Sequence, residues 1–323
     1  MAKQAVLLLA HGTPETIEQI PEYLRNVVSG RPLPQAVVEE IQHRYALIGH
    51  SPLTEITIAQ ARLVEVELAA TGYAVPVYVG MRNWRPYIPE VVRQMRADGV
   101  EEAAVVCMAP QNSRTSVGLY RRAVEAEAGE LRIDFTSGWA HHPLLADAFA
   151  ERLRPALAKL TREVGEPVPV LFTAHSVPAR TVEAPAADAD AGKRLWPGRG
   201  ADPYAEEARH TAELVAARVP EISRWWFAFQ SQGASGGPWL GPSVEEALHQ
   251  IAAEGVKSLI LQPIGFLCDH VEILFDVDIL FREYAIRLGV QIERPESLNA
   301  SVTLAKAVAD LARGGLGRLG MPQ

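Results

Sequence analysis

Seven short apolar, strand-like runs are spread along this chain, separated by longer stretches with helical spacing. The first four are AVLLLA (5–10), AVPVYVGM (74–81), AAVVCMA (103–109) and LRIDFTS (131–137). The later three are VPVLFTA (168–174), RWWFAFQ (224–230) and SLILQPI (258–264). Strand alternating with helix predicts parallel sheets with helices on both faces, an α/β architecture. The alternation runs twice, over roughly 1–155 and 160–310, and TREVGEPVP (161–169) reads as the junction. The expectation is two Rossmann-like, doubly wound domains facing each other across a cleft, 1–160 and 161–312. A length of 323 residues accommodates two such units.

Between the strands, IPEVVRQMRADGV (88–100) and SVEEALHQIAAEGV (243–256) carry helical periodicity and end at a glycine. Ser243 and Glu246 stand at capping-box spacing. Residues 183–202, rich in Ala, Pro, Gly and charge, read as a surface loop, and 313–323 as a flexible tail. The N-terminal apolar stretch, Ala5–Ala10, is too short for the core of a signal peptide and reads as a strand. No run of 18 apolar residues occurs, so no membrane span is expected. A net charge of −8 argues against a nucleic-acid binder relying on a basic surface. The two cysteines, Cys107 and Cys268, fit neither a zinc spacing nor a disulfide framework, and a cytoplasmic location is expected.

Doubly wound sheets bind ligands at the carboxyl ends of their strands. Strand 5–10 is followed by His11-Gly12-Thr13-Pro14, and strand 168–174 by His175-Ser176-Val177-Pro178. Strand 224–230 ends in Gln230-Ser231-Gln232-Gly233, and strand 258–264 leads into FLCDHVEILFDVD (266–278). That last stretch threads Asp269, His270, Glu272, Asp276 and Asp278 through core residues. Carboxylates so placed are costly unless paired or hydrated. No glycine-rich phosphate motif and no nucleophile elbow accompanies these ends, so nucleotide binding and serine hydrolysis lack support.

FTAHSVP (172–178), FQSQG with PWLGP (229–242) and QPIGFLCDHVEILFDVD (262–278) resemble the signature segments of the ferrochelatase family. AHGTPE (10–15) and RYALIGHSPLTEIT (44–57) resemble its N-terminal segments, and the match keeps its order over roughly 5–300. The resemblance implies the chelatase fold, with two four-stranded parallel sheets around a porphyrin cleft. It also implies insertion of Fe²⁺ into a porphyrin in haem biosynthesis. That chemistry removes two pyrrole N–H protons and passes a dication into a ring held bent, so it needs a base over the ring face and ligands that release metal.

By this resemblance His175 is the base and metal contact, with Glu272 as its partner. Asp269, Glu272 and Asp276, at i, i+3 and i+7, would share a helix face as an acidic stripe, with Asp276 a further metal contact. A local π-type widening is a family feature of this helix. Many relatives continue the stripe one turn on; here Leu280 stands four residues beyond Asp276, which leaves an outer metal site an open question. His270 and Asp278 lie off that face and read as structural. His11 occupies a position where relatives acting on coproporphyrin carry Tyr; it reads as an axial ligand, a second base or a residue packing beside the ring. Arg44, Ser51, Gln60 and Tyr120 match positions that bind propionates or line the cleft, and Ser231 and Trp239 would shape the opposite wall.

The resemblance favours coproporphyrin III over protoporphyrin IX, because no apolar lip run occurs in 16–34 and QSQG is closer to coproporphyrin-type members. Beyond the substrate Fe²⁺ no cofactor is expected. Two cysteines cannot supply the four ligands of a [2Fe–2S] cluster. Expected partners are the porphyrin and ferrous iron, in a monomer touching neighbouring haem-pathway enzymes only transiently. Two competing readings are a cobalt or nickel chelatase of a sirohydrochlorin-type ring and a non-catalytic porphyrin or haem carrier.

Overall fold

A computed structural model describes residues 2–182, 201–232 and 237–321. Most of the loop expected at 183–202, and most of GASGG (233–237), lie outside the described residues. The first half runs β1 (Gln4–Ala10), α1 (Ile20–Val27), α2 (Gln35–Ile48), α3 (Leu53–Ala70), β2 (Val77–Met81), α4 (Ile88–Ala97), β3 (Glu102–Cys107), α5 (Val117–Ala128) and β4 (Arg132–Thr136). The second half opens with α6 (Pro143–Val164), β5 (Val170–His175), α7 (Tyr204–Arg218), β6 (Trp225–Gln230), α8 (Val244–Ala253) and β7 (Ser258–Pro263). A π-helix (Glu272–Phe281), α9 (Arg282–Arg287), β8 (Gln291–Glu293) and α10 (Val302–Leu319) complete it.

Each half builds a four-stranded sheet, in the orders β2-β1-β3-β4 and β6-β5-β7-β8. All pairings are parallel, so the expected α/β chelatase architecture holds. Ala5 to Leu9 of β1 are all buried, because helices cover both faces of a parallel sheet. The pleat still sorts them: Val6 and Leu8 join one core, Ala5, Leu7 and Leu9 another. In β5, Val170, Phe172 and Ala174 enter the same core as Val6 and Leu8. One face of each sheet therefore meets a common helical layer, which ties the halves together.

That layer joins the two expected halves. Helix α6, which a boundary at 160/161 would cut, packs against α7 and β7 of the second half, while α10 returns to β3, β4 and α3 of the first. Of the flexible tail expected at 313–323, residues 313–319 are instead the last turns of α10, with Gly315 and Leu316 buried. Glycine is a poor helix former, which is why GGLGRLG reads as frayed from sequence. Tertiary packing overrides it. A Cβ on Gly315 would stand 2.9 Å from the Ala104 Cβ, so the glycine is what lets α10 approach β3. Arg318 then grips Asp134 of β4 with two hydrogen bonds of 2.8 and 2.7 Å.

Smaller differences have local causes. The strand expected from residue 74 begins at Val77, since Pro76 has no N–H to donate. Strand β8 has no counterpart among the expected runs, being only 3 residues long. The capping box at the start of α8 forms as expected: Glu246 N–H donates to Ser243 Oγ (3.2 Å), and Ser243 N–H donates to Glu246 Oε2 (2.8 Å). Among the described residues no helix is long and apolar enough to cross a membrane. In both sheets the strand order reverses beside the first strand, between β1 and β3 and between β5 and β7. The crevice outside those carboxyl ends is where this topology binds ligands.

Candidate active site

A cavity of about 280 Å³ lies at both switch points at once. Its second-half wall is built by His175, the last residue of β5, and by the segment from Gly265 to Glu272 that comes after β7. His175 Nε2 is 3.4 Å from Glu272 Oε1, with side chains 33% and 32% exposed. The backbone fixes both ends of the pair. Tyr204 donates its hydroxyl hydrogen to the His175 carbonyl (2.8 Å), and Gln230 Nε2 donates to the Glu272 carbonyl (3.3 Å). Burial alone would hold the His175 imidazole neutral, but the charge and hydrogen bond of Glu272, with the Ser176 backbone and the Asp276 charge, together raise its affinity for a proton above the ordinary value. For Glu272, burial favours the neutral acid; the charge and hydrogen bond of His175, then those of His270, bring it well below the usual carboxylate range.

Asp276 stands behind Glu272. A π-helix closes its bonds at i→i+5 and widens the turn, so a residue four positions on falls nearly in line. The Asp276 side chain, only 5% exposed, accepts a hydrogen bond from Ser231 Oγ and lies 3.4 Å from an Arg44 nitrogen. Burial, then the negative charge of Glu272, push its carboxyl up to about 6.

The first-half wall holds His11, directly after β1. Gly12 makes the sharp exit: its φ is +77°, and a Cβ there would stand 2.7 Å from the Met81 Cβ. His11 Nε2 lies 2.9 Å from the Tyr23 hydroxyl, and the Asn83 side-chain amide is 3.2 Å from Nδ1. Burial pulls the His11 pKa down to about 4, with the Arg82 charge acting in the same sense and Glu272 opposing it. At neutral pH this imidazole is uncharged, opposite a histidine that holds its proton more tightly than usual.

The structure sorts the expected residues. His11, Gln60, Tyr120, His175 and Glu272 line the cavity. Gln60 also donates to the Asn299 carbonyl (2.9 Å), linking α3 to the loop before α10. Arg44, Ser51, Ser231, Trp239 and Asp276 do not line it. Arg44 is engaged with Glu40 and Asp276 and lies over the Phe275 ring. Ser51 is buried one layer back, its carbonyl accepting from Thr13 Oγ1 (3.2 Å). Trp239 pairs by its backbone with Pro178.

Two readings of the acidic stretch are corrected. Asp269 is not in the stripe: it binds Ser297 Oγ (2.7 Å), Asn299 Nδ2 (2.8 Å) and Arg294 (3.3 Å). It precedes the π-helix, so helical spacing does not apply to it. His270 is not merely structural: it lines the cavity with Nε2 3.6 Å from Glu272 Oε2, while Nδ1 meets the Cys268 carbonyl at 3.0 Å. Asp278 is structural, clamped by Arg294 at 2.7 and 2.8 Å. Sequence reasoning also missed Arg82, Tyr23 and the Ser113–Ser116 loop, all on the cavity. Arg82 comes directly after β2, so inspecting every strand end would have found it.

Among the described residues no three His, Cys, Asp or Glu side chains form a closed metal cage. What the cavity offers is an imidazole–carboxylate pair open to a ligand on one side and a neutral imidazole on the other. A family model described as Ferrochelatase matches residues 3–316. A ferrochelatase of Acidobacterium capsulatum is 58% identical over 98% of this chain and 96% of its own length. A coproporphyrin III ferrochelatase of Mycolicibacterium vanbaalenii is 35% identical over 96% of this chain and 89% of its own. The crystal structure of a sirohydrochlorin chelatase from Bacillus subtilis in complex with cobalt shares the fold, with a TM-score of 0.52 at 11% identity and 98% coverage of both chains.

Proposed function

The chain belongs to the ferrochelatase family, lyases that insert a metal into a porphyrin, and we propose that its own substrates are Fe²⁺ and coproporphyrin III in haem biosynthesis. The observation that carries the reading of the site is the His175–Glu272 pair at 3.4 Å, facing the cavity from the end of β5. The balance of the reaction is simple: a porphyrin with two N–H groups takes up Fe²⁺ and releases two protons. His175 Nε2 accepts a pyrrole proton, and the adjacent Glu272 carboxylate stabilises the imidazolium that results. Asp276, whose carboxyl is pushed up to about 6, receives the proton next and releases it to solvent, with the Arg44 guanidinium holding the carboxylate that is left. Metal meets the same imidazole and carboxylate, ligands that suit Fe²⁺ and release it because they do not enclose it. His11 acts from the other face as a neutral imidazole, as axial ligand to the inserted metal or as acceptor of the second proton.

Coproporphyrin III carries four carboxylates and protoporphyrin IX two. Two observations support the former: the polar inner wall (Arg82, Gln111, Ser113, Thr115, Ser116, Tyr120) and relatives named for coproporphyrin III. Anaerobic turnover of the two porphyrins with Fe²⁺, followed by the Soret band, tests the choice. Higher kcat/KM for coproporphyrin III is expected, and a preference for protoporphyrin IX overturns it. The likeness to a cobalt-bound chelatase is one of fold.

A further inference from the structure

The loop that follows β3 belongs to the first half but hangs from the second. Gln111 Nε2 donates to Thr211 Oγ1 (3.1 Å) and to the Ile264 carbonyl (3.2 Å). The Asn112 N–H donates to Glu207 Oε2 (2.6 Å), and the Arg114 N–H to Asp202 Oδ2 (2.8 Å). Three of these acceptors stand in the first turns of α7 or just before it. In the same turns Tyr204 donates its hydroxyl hydrogen to the His175 carbonyl (2.8 Å). The start of α7 therefore grips both walls of the cavity at once. It reaches the histidine wall through Tyr204, and Ser113, Thr115 and Ser116 of the first-half wall through their loop.

Within that grip Glu207 has no second task. Asp202 also caps α7, accepting from the Tyr204 N–H (3.0 Å). Among the described residues the Glu207 carboxylate makes no hydrogen bond or ion pair besides the one to Asn112. The dipole of α7 favours an acid in its first turn, but that effect needs no burial. Here burial pushes the Glu207 carboxyl above its usual range, the Asn112 N–H opposes it, and the Asp202 charge adds to it. Gly138 lets the two meet: a Cβ there would stand 2.9 Å from the Asn112 Cβ and 3.5 Å from Glu207 Oε2. A carboxylate drawn partly out of water for a single backbone amide gains a strong, directional bond to that amide. We propose that Glu207 is a positioning residue, whose hold on the Asn112 N–H sets how far the first-half loop stands from the His175 wall and so how the porphyrin is bent between them. The inference rests on the reading of the cavity as a porphyrin site. Bending the ring spends binding energy to approach the transition state, so a loosened wall shows in kcat rather than in affinity.

The test compares Glu207→Ala, which removes the acceptor, with Glu207→Gln, which keeps one. The first readout needs no substrate. Amide hydrogen exchange across residues 111–116 is expected to speed up by about 10- to 100-fold in Glu207→Ala, the range for a hydrogen bond to a charged group, and only a few fold in Glu207→Gln. The second is anaerobic turnover with Fe²⁺ and whichever of the two porphyrins the wild type prefers. There kcat falls about 10- to 100-fold in Glu207→Ala, the cost of displacing a wall by roughly 1 Å, while KM stays level or drops. The out-of-plane resonance Raman bands of the bound porphyrin weaken in parallel, and Glu207→Gln restores both. Gly138→Ala, which crowds Asn112 from the other side, should change kcat and the Raman bands without raising KM, and it judges the proposal if Glu207→Ala fails to fold. Unchanged exchange, unchanged kcat, a loss confined to KM, or a glutamine variant as impaired as the alanine overturns the proposal. A wild-type protein that binds neither porphyrin sinks the reading of the cavity instead, and the exchange rates still judge the hold of Glu207 on the loop.

Discussion

The two halves of the molecule present the same element, a histidine at the end of a sheet's first strand, in opposite electrostatic settings. His175 meets a carboxylate at 3.4 Å, and its affinity for a proton rises. His11 meets a phenol and an amide, with Arg82 nearby, and its pKa falls to about 4. The backbone geometry is repeated, strand order included. The difference lies in the segment after the third strand of each sheet. Beyond β7 the chain bears His270, Glu272 and, one π-turn on, Asp276; beyond β3 it forms a loop of serine and threonine with no acid among its cavity residues. A repeated fold thus pairs one histidine with a carboxylate and leaves the other an uncharged imidazole.

The contrast is tested most severely by removing its charged side. His175→Ala is expected to lower Fe²⁺ insertion on the order of 1000-fold, within the range for loss of a general base, while porphyrin affinity changes only a few fold. Anaerobic single-turnover kinetics and fluorescence titration check the two halves of that statement. Substantial residual insertion would remove His175 from the proton path. Glu272→Gln keeps the shape of the partner but not its charge, and a loss on the order of 100-fold is expected. Because the carboxylate is what raises the His175 pKa, the acid limb of the rate profile should also move to lower pH in this variant. A wild-type rate and profile would show that the pair is structural.

The sheets were legible in the apolar runs themselves, whereas the His175–Glu272 meeting and the π-widened helix were legible only through the resemblance to the ferrochelatase family. Apolar runs fix buried strands, and strand ends fix where a ligand crevice opens, while of the acids after β7 Asp269 and Asp278 serve Arg294 instead. Asp269 and His270 were misplaced for one shared reason. The π-helix starts only at Glu272, so residues two and three positions earlier lie in a turn whose directions no periodicity reports. Asp269 is turned toward Arg294 and Asn299, a contact spanning distant parts of the chain. Arg44 shows the same limit: its position in α2 was legible, but its engagement with Asp276 depends on how α2 meets the second half.

Asp276 permits a subtler test. A carboxyl accepts a proton only when ionised, and this one ionises near 6. Its contribution to the rate therefore grows as pH rises through that value and vanishes below it. Asp276→Asn should match wild type below about pH 5.5 and fall about tenfold behind above pH 7, less than the roughly 100-fold a group taking the proton directly supplies, because Asp276 stands behind Glu272. A pH-independent deficit would assign Asp276 to holding Arg44 and Ser231 rather than to moving protons.

The smallest expected effect is on stability, and it separates the two histidines by sign. His11 binds a proton more weakly folded (about 4) than unfolded (6.5), so acidification through that window favours unfolding. Each pKa unit is worth about 1.4 kcal/mol, and with the ring partly accessible roughly 2 kcal/mol is expected between pH 7 and 4.5. His11→Phe should lose about that much less stability over the same interval, as read from urea melts at the two pH values. His175, with its raised pKa, works in reverse: its contribution is present below 6.5 and is lost as pH rises through the folded value. An alanine there should therefore not blunt the acid-induced loss. The same His11→Phe protein, loaded with iron porphyrin, should show an altered Soret band if the imidazole leaves Tyr23 to bind metal. Blunted acid sensitivity with an unchanged spectrum would make His11 a neutral wall residue and leave the metal to the His175 side.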